Sequence, residues 1–207
     1  MTHEPAPLTR ATFAGMYATP QAPWDIGRPQ QAFVDIGSEI GGRVIDIGCG
    51  TGELALWLAE RGCTVTGVDF LEHPLEVARQ KAAARGLTAT FLAMDAQAVG
   101  ELPERFDAVT DCGLFHTFDE TGRQAYVAAL AKLLEPGSHV YLLCFSDAEP
   151  GEHGPRRISE AALRAAFADG FEMKRLKPSR FETLPGIAGA EFTPAGARSW
   201  FATIQRT

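Results

Sequence analysis

The sequence predicts a doubly wound α/β fold: a mostly parallel sheet of seven strands closed by a C-terminal antiparallel hairpin. Three observations carry this. Strand-like and helix-like runs alternate after residue 43, the order that builds a parallel sheet with helical crossovers. The apolar run at 44–47 breaks at a turn with glycine at alternate positions, Gly48, Gly50 and Gly52, and then enters a helical stripe. The last two strand-like runs are joined by a stretch rich in Gly and Pro instead of a crossover helix.

Taken in order, the apolar residues around Asp46 suit a central strand and 54–59 suit a helix packed on the sheet. Gly48 and Gly50 make a turn without Cβ atoms, so a ligand can lie on the backbone and face the positive end of that helix. Residues 63–68 form the second strand, closed by Asp69, and 74–85 a helix ended by Gly86. Residues 89–93 form the third strand, followed by Met94, Asp95 and Ala96. Residues 106–112 form the fourth, with Gly113, Leu114, Phe115 and His116 at its carboxyl end. The stripe Tyr126, Leu130, Leu133, Leu134 marks a helix over 121–134, stopped by Pro136 and Gly137, and 140–145 is the fifth strand. Ser159 caps a helix that runs to about residue 168. Residues 171–176 and 199–205 form the final pair, and 185–196 between them reads as a mobile loop. Residues 1–40 are expected as a cap segment on a single domain over 41–207.

A net charge of −7 in 207 residues argues against nucleic acid as a partner. The basic stretches, Arg156-Arg157 and 174–177, are short and read as solvated edges. No apolar run approaches the roughly 20 residues that span a bilayer, and 1–7 carry no leader pattern, so a cytoplasmic protein without membrane contact is expected. Cys49, Cys63, Cys112 and Cys144 form no C-x-x-C pair and have no His at ligand spacing, which reads as buried thiols, with no disulfide and no metal.

The glycine spacing bears on the ligand. A dinucleotide turn is G-x-G-x-x-G, and its third glycine position is here Glu53. A carboxylate opening the helix repels a pyrophosphate but tolerates a ligand carrying ammonium and sulfonium groups. Asp69, about 20 residues beyond the turn, stands where a carboxylate takes both ribose hydroxyls. Asp46 with the three glycines spells D-x-G-x-G-x-G, which resembles motif I of the class I S-adenosylmethionine (SAM)-dependent methyltransferases. The segment Pro23-Trp24-Asp25-Ile26-Gly27-Arg28-Pro29-Gln30 resembles the entry region of small methyltransferases acting on thiols, halides, tellurite, thiopurines and heterocyclic toxins.

The resemblance implies a Rossmann-like class I methyltransferase fold over 40–207 and SAM as cofactor, with S-adenosylhomocysteine (SAH) as product. It implies cofactor contacts from Asp46, Gly48, Cys49, Gly50, Gly52, Asp69, Phe70, Asp95, Ala96 and Cys112, and Trp24 closing over the sulfonium. Asp95 is alternatively a helix cap, and Trp24 a surface anchor. His116 is the candidate catalytic residue, taking a proton from the acceptor, or else a positioning residue. Phe13, Tyr17, Phe115, His116, Phe181, Ile187 and Phe192 are candidates for an apolar acceptor pocket. Phe13 and Tyr17 are spaced equally well for core packing, and Arg157 either holds an acceptor oxygen or covers the surface. The expected acceptor is a small aromatic or heterocyclic molecule, methylated on O, N or S by a monomer or homodimer. An NAD(P)-dependent oxidoreductase competes, but the third glycine is missing and Tyr126 is followed by Leu130 where a Tyr-x-x-x-Lys pair needs lysine. A SAM-binding protein without turnover is the other alternative.

Overall fold

The computed structural model describes residues 9–18, 22–187 and 191–207. The expected absence of a leader at 1–7 falls outside these residues, as does the middle of the loop expected at 185–196.

Seven strands form one sheet: β1 (Arg43–Ile47), β2 (Thr64–Asp69), β3 (Thr90–Ala93), β4 (Phe106–Cys112), β5 (Leu134–Phe145), β6 (Phe171–Phe181) and β7 (Ala197–Arg206). Their order is β3-β2-β1-β4-β5-β7-β6. The first five are parallel, and β7 runs antiparallel to both β5 and β6. Strand order reverses between β1 and β4, which opens a crevice at their carboxyl ends, where open α/β sheets bind ligands. The parallel strands are apolar because helices cover both faces. One core layer joins Val109, Tyr126, Leu130 and Phe167, and the other joins Phe33, Leu56, Leu75 and Phe201.

Among the described residues six α-helices accompany the sheet: α1 (Arg10–Tyr17), α2 (Gln31–Val34), α3 (Glu53–Glu60), α4 (Glu72–Arg85), α5 (Glu120–Leu133) and α6 (Glu160–Ala166). Gly86 ends α4 at φ +65°, and Ser159 caps α6 by accepting from the Ala162 amide. None of the helices of the described residues is long and apolar enough to cross a membrane.

Four expectations need correction. The α5 helix ends at Leu133 because Leu134 already pairs with Phe106. Pro136 and Gly137 therefore lie inside β5, at an irregularity in its register with β4, and do not stop the helix. The hairpin strands run longer than 171–176 and 199–205, since pairing continues to Phe181 and Ala197. Pro178 is tolerated there because β6 is an edge strand. The α6 helix stops at Ala166, two residues short of the expected end. Of the cysteines, all unpaired, only Cys144 is fully buried.

Candidate active site

The glycine turn is fixed from below by β2: the amides of Gly48 and Cys49 both donate to the Val68 carbonyl, at 2.7 and 2.9 Å. Gly50 has φ +52°, and a Cβ there would stand 2.6 Å from the Tyr17 hydroxyl. The bare backbone thus faces the underside of an aromatic roof. Gly52 serves a different purpose from the one expected. Its missing Cβ lets α3 close on Ala78 and Phe91, at 2.8 and 3.2 Å, so it permits helix packing and does not face a ligand. The Cys49 side chain likewise turns inward against Gly67. Burial raises its thiol pKa.

The carboxylates divide by task. Asp46 is 2% exposed and accepts from the Thr110 hydroxyl at 2.7 Å, tying β1 to β4; burial pushes its pKa up to about 7. Its carboxylate thus braces the turn from beneath, and Asp46 also borders the small recess at the glycine turn. Asp111 is similar, fully buried and accepting from the Leu114 and Phe115 amides. Asp69 does open onto the cleft, while its two oxygens accept from the amides of Gly50 and Leu71 at 3.1 and 2.9 Å. Burial raises its pKa and these bonds oppose the rise. Asp95 caps the short turn Ala96–Glu101 through the Gln97 amide and, with Ala96 and Phe70, also lines the cleft. Glu53 needs a correction of its own. It pairs with Lys81 and Arg85 of α4, at 2.8 and 3.0 Å, so its charge is spent within the fold and says little about the ligand.

Above the turn stands a cluster of aromatic rings. Phe13 and Tyr17 project from α1 onto Trp24, with ring centroids 5.7 and 5.8 Å away, and Phe13 also meets Phe70. The Trp24 indole N–H donates to the Tyr17 hydroxyl at 3.0 Å. Beneath them runs a cleft of about 700 Å³, bounded by Asp69 and Asp95 toward β2 and β3 and by Phe145, Phe181 and Phe192 toward β5 and β6. Gly48, Cys112 and Ile187 also border it. A small recess adjoins it at the glycine turn, between Asp25, Arg28 and Gln30.

His116 borders the cleft but cannot act as the expected base. Its Nδ1 accepts from the Phe145 amide at 2.9 Å, and an amide only donates, so the lone pair is used and Nε2 carries the proton. Burial lowers its pKa to about 3. Its ring fastens the turn after β4 to the end of β5. Phe115 is fully buried, stacked on Phe167, and does not reach the cleft. Arg157 points away as well. Its guanidinium donates to the carbonyls of Glu149, Pro155 and His153 and lies 5.3 Å over the Phe145 ring, so it shapes the 146–157 loop.

Several functional positions had no sequence signal. Phe145 reads only as the end of a strand, yet it is the floor of the chamber, touching His116, Phe181 and Phe192. Glu149 is 3% exposed and accepts from the Thr193 amide and hydroxyl and the Arg198 amide, joining the loop after β5 to the one before β7. Thr51 links Asp25 to Lys81 at 2.9 and 2.8 Å, anchoring the entry segment on the turn.

These residues fit a nucleoside sulfonium: a bare glycine cradle that a Cβ would fill, a buried carboxylate at ribose distance along the chain, and aromatic faces over the turn. A family model described as a methyltransferase domain matches residues 44–137. A 2-heptyl-1-hydroxyquinolin-4(1H)-one methyltransferase of Mycobacteroides abscessus is 33% identical over 163 residues, spanning 76% of this chain and 72% of that protein. A solved structure concerned with conversion of a disulfide bond into a thioacetal group during echinomycin biosynthesis superposes with a TM-score of 0.84 at 34% identity, over 96% of this chain and 93% of its own. The 1,6-didemethyltoxoflavin-N1-methyltransferase of Burkholderia thailandensis shares the fold, with a TM-score of 0.74 at 24% identity over 96% of this chain and 87% of that one. Sequence motif, strand order and relatives agree, and the chain belongs to the class I SAM-dependent methyltransferases.

Proposed function

We propose that the protein transfers a methyl group from SAM to an oxygen, nitrogen or sulfur atom of a small aromatic or heterocyclic acceptor. The observation that carries this is the continuity of the cleft: the wall that suits adenosine runs without interruption into a chamber of Phe145, Phe181 and Phe192. SAM supplies an electrophilic methyl group on a sulfonium. Asp69 would hold the ribose, Asp95 and Ala96 the adenine edge, and Trp24 the region of the sulfonium. The chamber would align the acceptor about 3 Å from the methyl carbon with water excluded, which supplies most of the rate in such a displacement. The names of the relatives, a hydroxyquinolone and a toxoflavin methyltransferase, support a flat heterocyclic acceptor. A nucleic acid partner is disfavoured because the basic stretch at 174–177 is partly neutralised, Lys174 by Glu172 and Arg175 by Glu39. Calorimetry with SAH and with NAD, followed by transfer of labelled methyl to a panel of phenols, thiols and azaheterocycles, tests the reading. SAH binding with transfer supports an enzyme; SAH binding with no transfer to any of them favours a SAM-binding protein without turnover.

A further inference from the structure

The outer wall of the acceptor chamber is fastened to the segment that roofs the cofactor cleft. The β6 strand leaves the sheet after Phe181, the last residue that pairs with β7, and 182–187 then carries Thr183 and Ile187 along the cleft. Among the described residues, every hydrogen bond of 182–187 goes to the entry segment 23–31. The Gln30 side chain bonds in both directions: its Nε2–H donates to the Glu182 carbonyl at 2.9 Å, and its Oε1 accepts from the Glu182 amide at 2.7 Å. The Leu184 amide donates to the Pro23 carbonyl at 2.7 Å. Arg28 adds a two-point pair with the Glu182 carboxylate, which also accepts from the Gln31 amide at 3.3 Å. These bonds differ in weight. Gln30 is 3% exposed, so parting the segments strips partners from a buried amide and from two backbone groups, whereas more than half of the Arg28 side chain is exposed and its pair is weakened by water.

The entry segment meets the cofactor side as well. Trp24, next to Pro23, borders both the cleft and the recess at the glycine turn and packs on the rings of Phe13 and Tyr17. Asp25 accepts from the Thr51 hydroxyl of that turn at 2.9 Å. One segment therefore touches the cofactor cradle on one side and holds the chamber wall on the other. From this we propose that Gln30 is a positioning residue through which the seated cofactor orders the outer acceptor wall, so that the acceptor finds a complete chamber only after the cofactor is in place. The proposal rests on the methyltransferase reading and concerns the regulation of that same site. Contact of a cofactor with the turn and the Trp24 face restricts the entry segment, and the entry segment restricts 182–187 because it supplies that stretch with its hydrogen-bond partners. Linkage makes the effect mutual: an acceptor packed on Thr183 and Ile187 tightens the cofactor by the factor that the cofactor tightens the acceptor.

Amide hydrogen exchange of the full chain, read by mass spectrometry with and without saturating SAH, tests this. In the wild type, SAH should slow exchange over 182–187 by at least about fivefold, as well as at the glycine turn, 48–52. Gln30→Asn should keep the slowing at 48–52 and leave less than about twofold at 182–187. Asn is favoured where Gln30 stands, at the N-cap of α2, but is one methylene too short to bridge both Glu182 backbone groups, so the helix is kept and the link is cut. Gln30→Met, which fills the space without an amide, should do the same. Glu182→Gln, which breaks only the exposed charge pair with Arg28, should retain the wild-type pattern. A merely structural role for Gln30 would speed exchange over 182–187 equally with and without SAH and leave the ratio between the two unchanged. That unchanged ratio, wild-type slowing confined to 48–52, or loss of the effect in Glu182→Gln but not in Gln30→Asn overturns the proposal while the cofactor site stands. SAH that slows exchange nowhere overturns the methyltransferase reading beneath it.

Discussion

At the scale of single residues, the chemistry is decided by which lone pairs are already occupied. His116 is the clearest case. Its folded-state pKa of about 3 lies below the ordinary 6.5, so at intermediate pH the unfolded chain binds a proton that the folded chain refuses. The contribution is fully present above about pH 6.5 and is lost as pH falls toward 3, at up to about 1.4 kcal/mol per pH unit. Asp46 and Asp111, each raised to about 7, run the opposite way, with stability lost as pH rises, so the whole-protein curve mixes both signs. The informative quantity is a difference. His116→Asn keeps an acceptor for the Phe145 amide but cannot titrate, and urea unfolding between pH 4 and 7 should show the variant losing less stability on acidification than the wild type. Asp69 gives a second residue-level expectation. Asp69→Asn removes the charge that would receive the ribose hydroxyls and replaces one oxygen with a donor facing the Gly50 or Leu71 amide. SAH affinity should fall by roughly 1–3 kcal/mol by calorimetry, and an unchanged affinity would remove Asp69 from the cofactor site.

Among secondary-structure elements, legibility follows periodicity. The β4 strand matches its predicted bounds, and α4 ends at Gly86 as read, because alternation, caps and left-handed glycines are local signals. The unforeseen α2 is only four residues long, and β5 runs from Leu134 through a proline-glycine pair that locally reads as a stop. The walls of the chamber are hardest to read, since they depend on contacts far apart in the chain: Phe145 with His116, and Glu149 with Thr193 and Arg198. Glu149 allows these walls to be tested apart from the cofactor site. Its carboxylate is buried, which raises its pKa, but the bonds from Arg198 and Thr193 outweigh burial and leave it lowered. The clasp is therefore present above the usual value of 4.5 and is lost as pH falls below it. Glu149→Gln sets an amide N–H against backbone donors, at a cost of about 1–3 kcal/mol. The acceptor KM should rise about tenfold, while the SAH dissociation constant stays within about twofold. Equal losses in both would show that the loops do not act separately.

Across the whole molecule, the fold and the ligand site draw on different parts of the chain. The sheet is held by two buried layers, one on each face, to which α1 contributes no buried residue. Yet α1 supplies Phe13 and Tyr17, the rings that cover Trp24 and the glycine turn. Stability without ligand and stabilisation by ligand should therefore separate in one variant. For the wild type, SAH at a hundred times its dissociation constant should add about 2.7 kcal/mol, which for a chain of this size raises the melting midpoint by about 5–11 °C. Phe13→Ala with Tyr17→Ala should leave the ligand-free midpoint within about 2 °C, because neither side chain belongs to the core. If the roof accounts for a factor of ten in affinity, the same SAH concentration should give only about half of the wild-type shift. A melt that drops without ligand would make α1 part of the fold, and an undiminished SAH shift would mean that the rings stand clear of the cofactor; both are read from the same pair of scans.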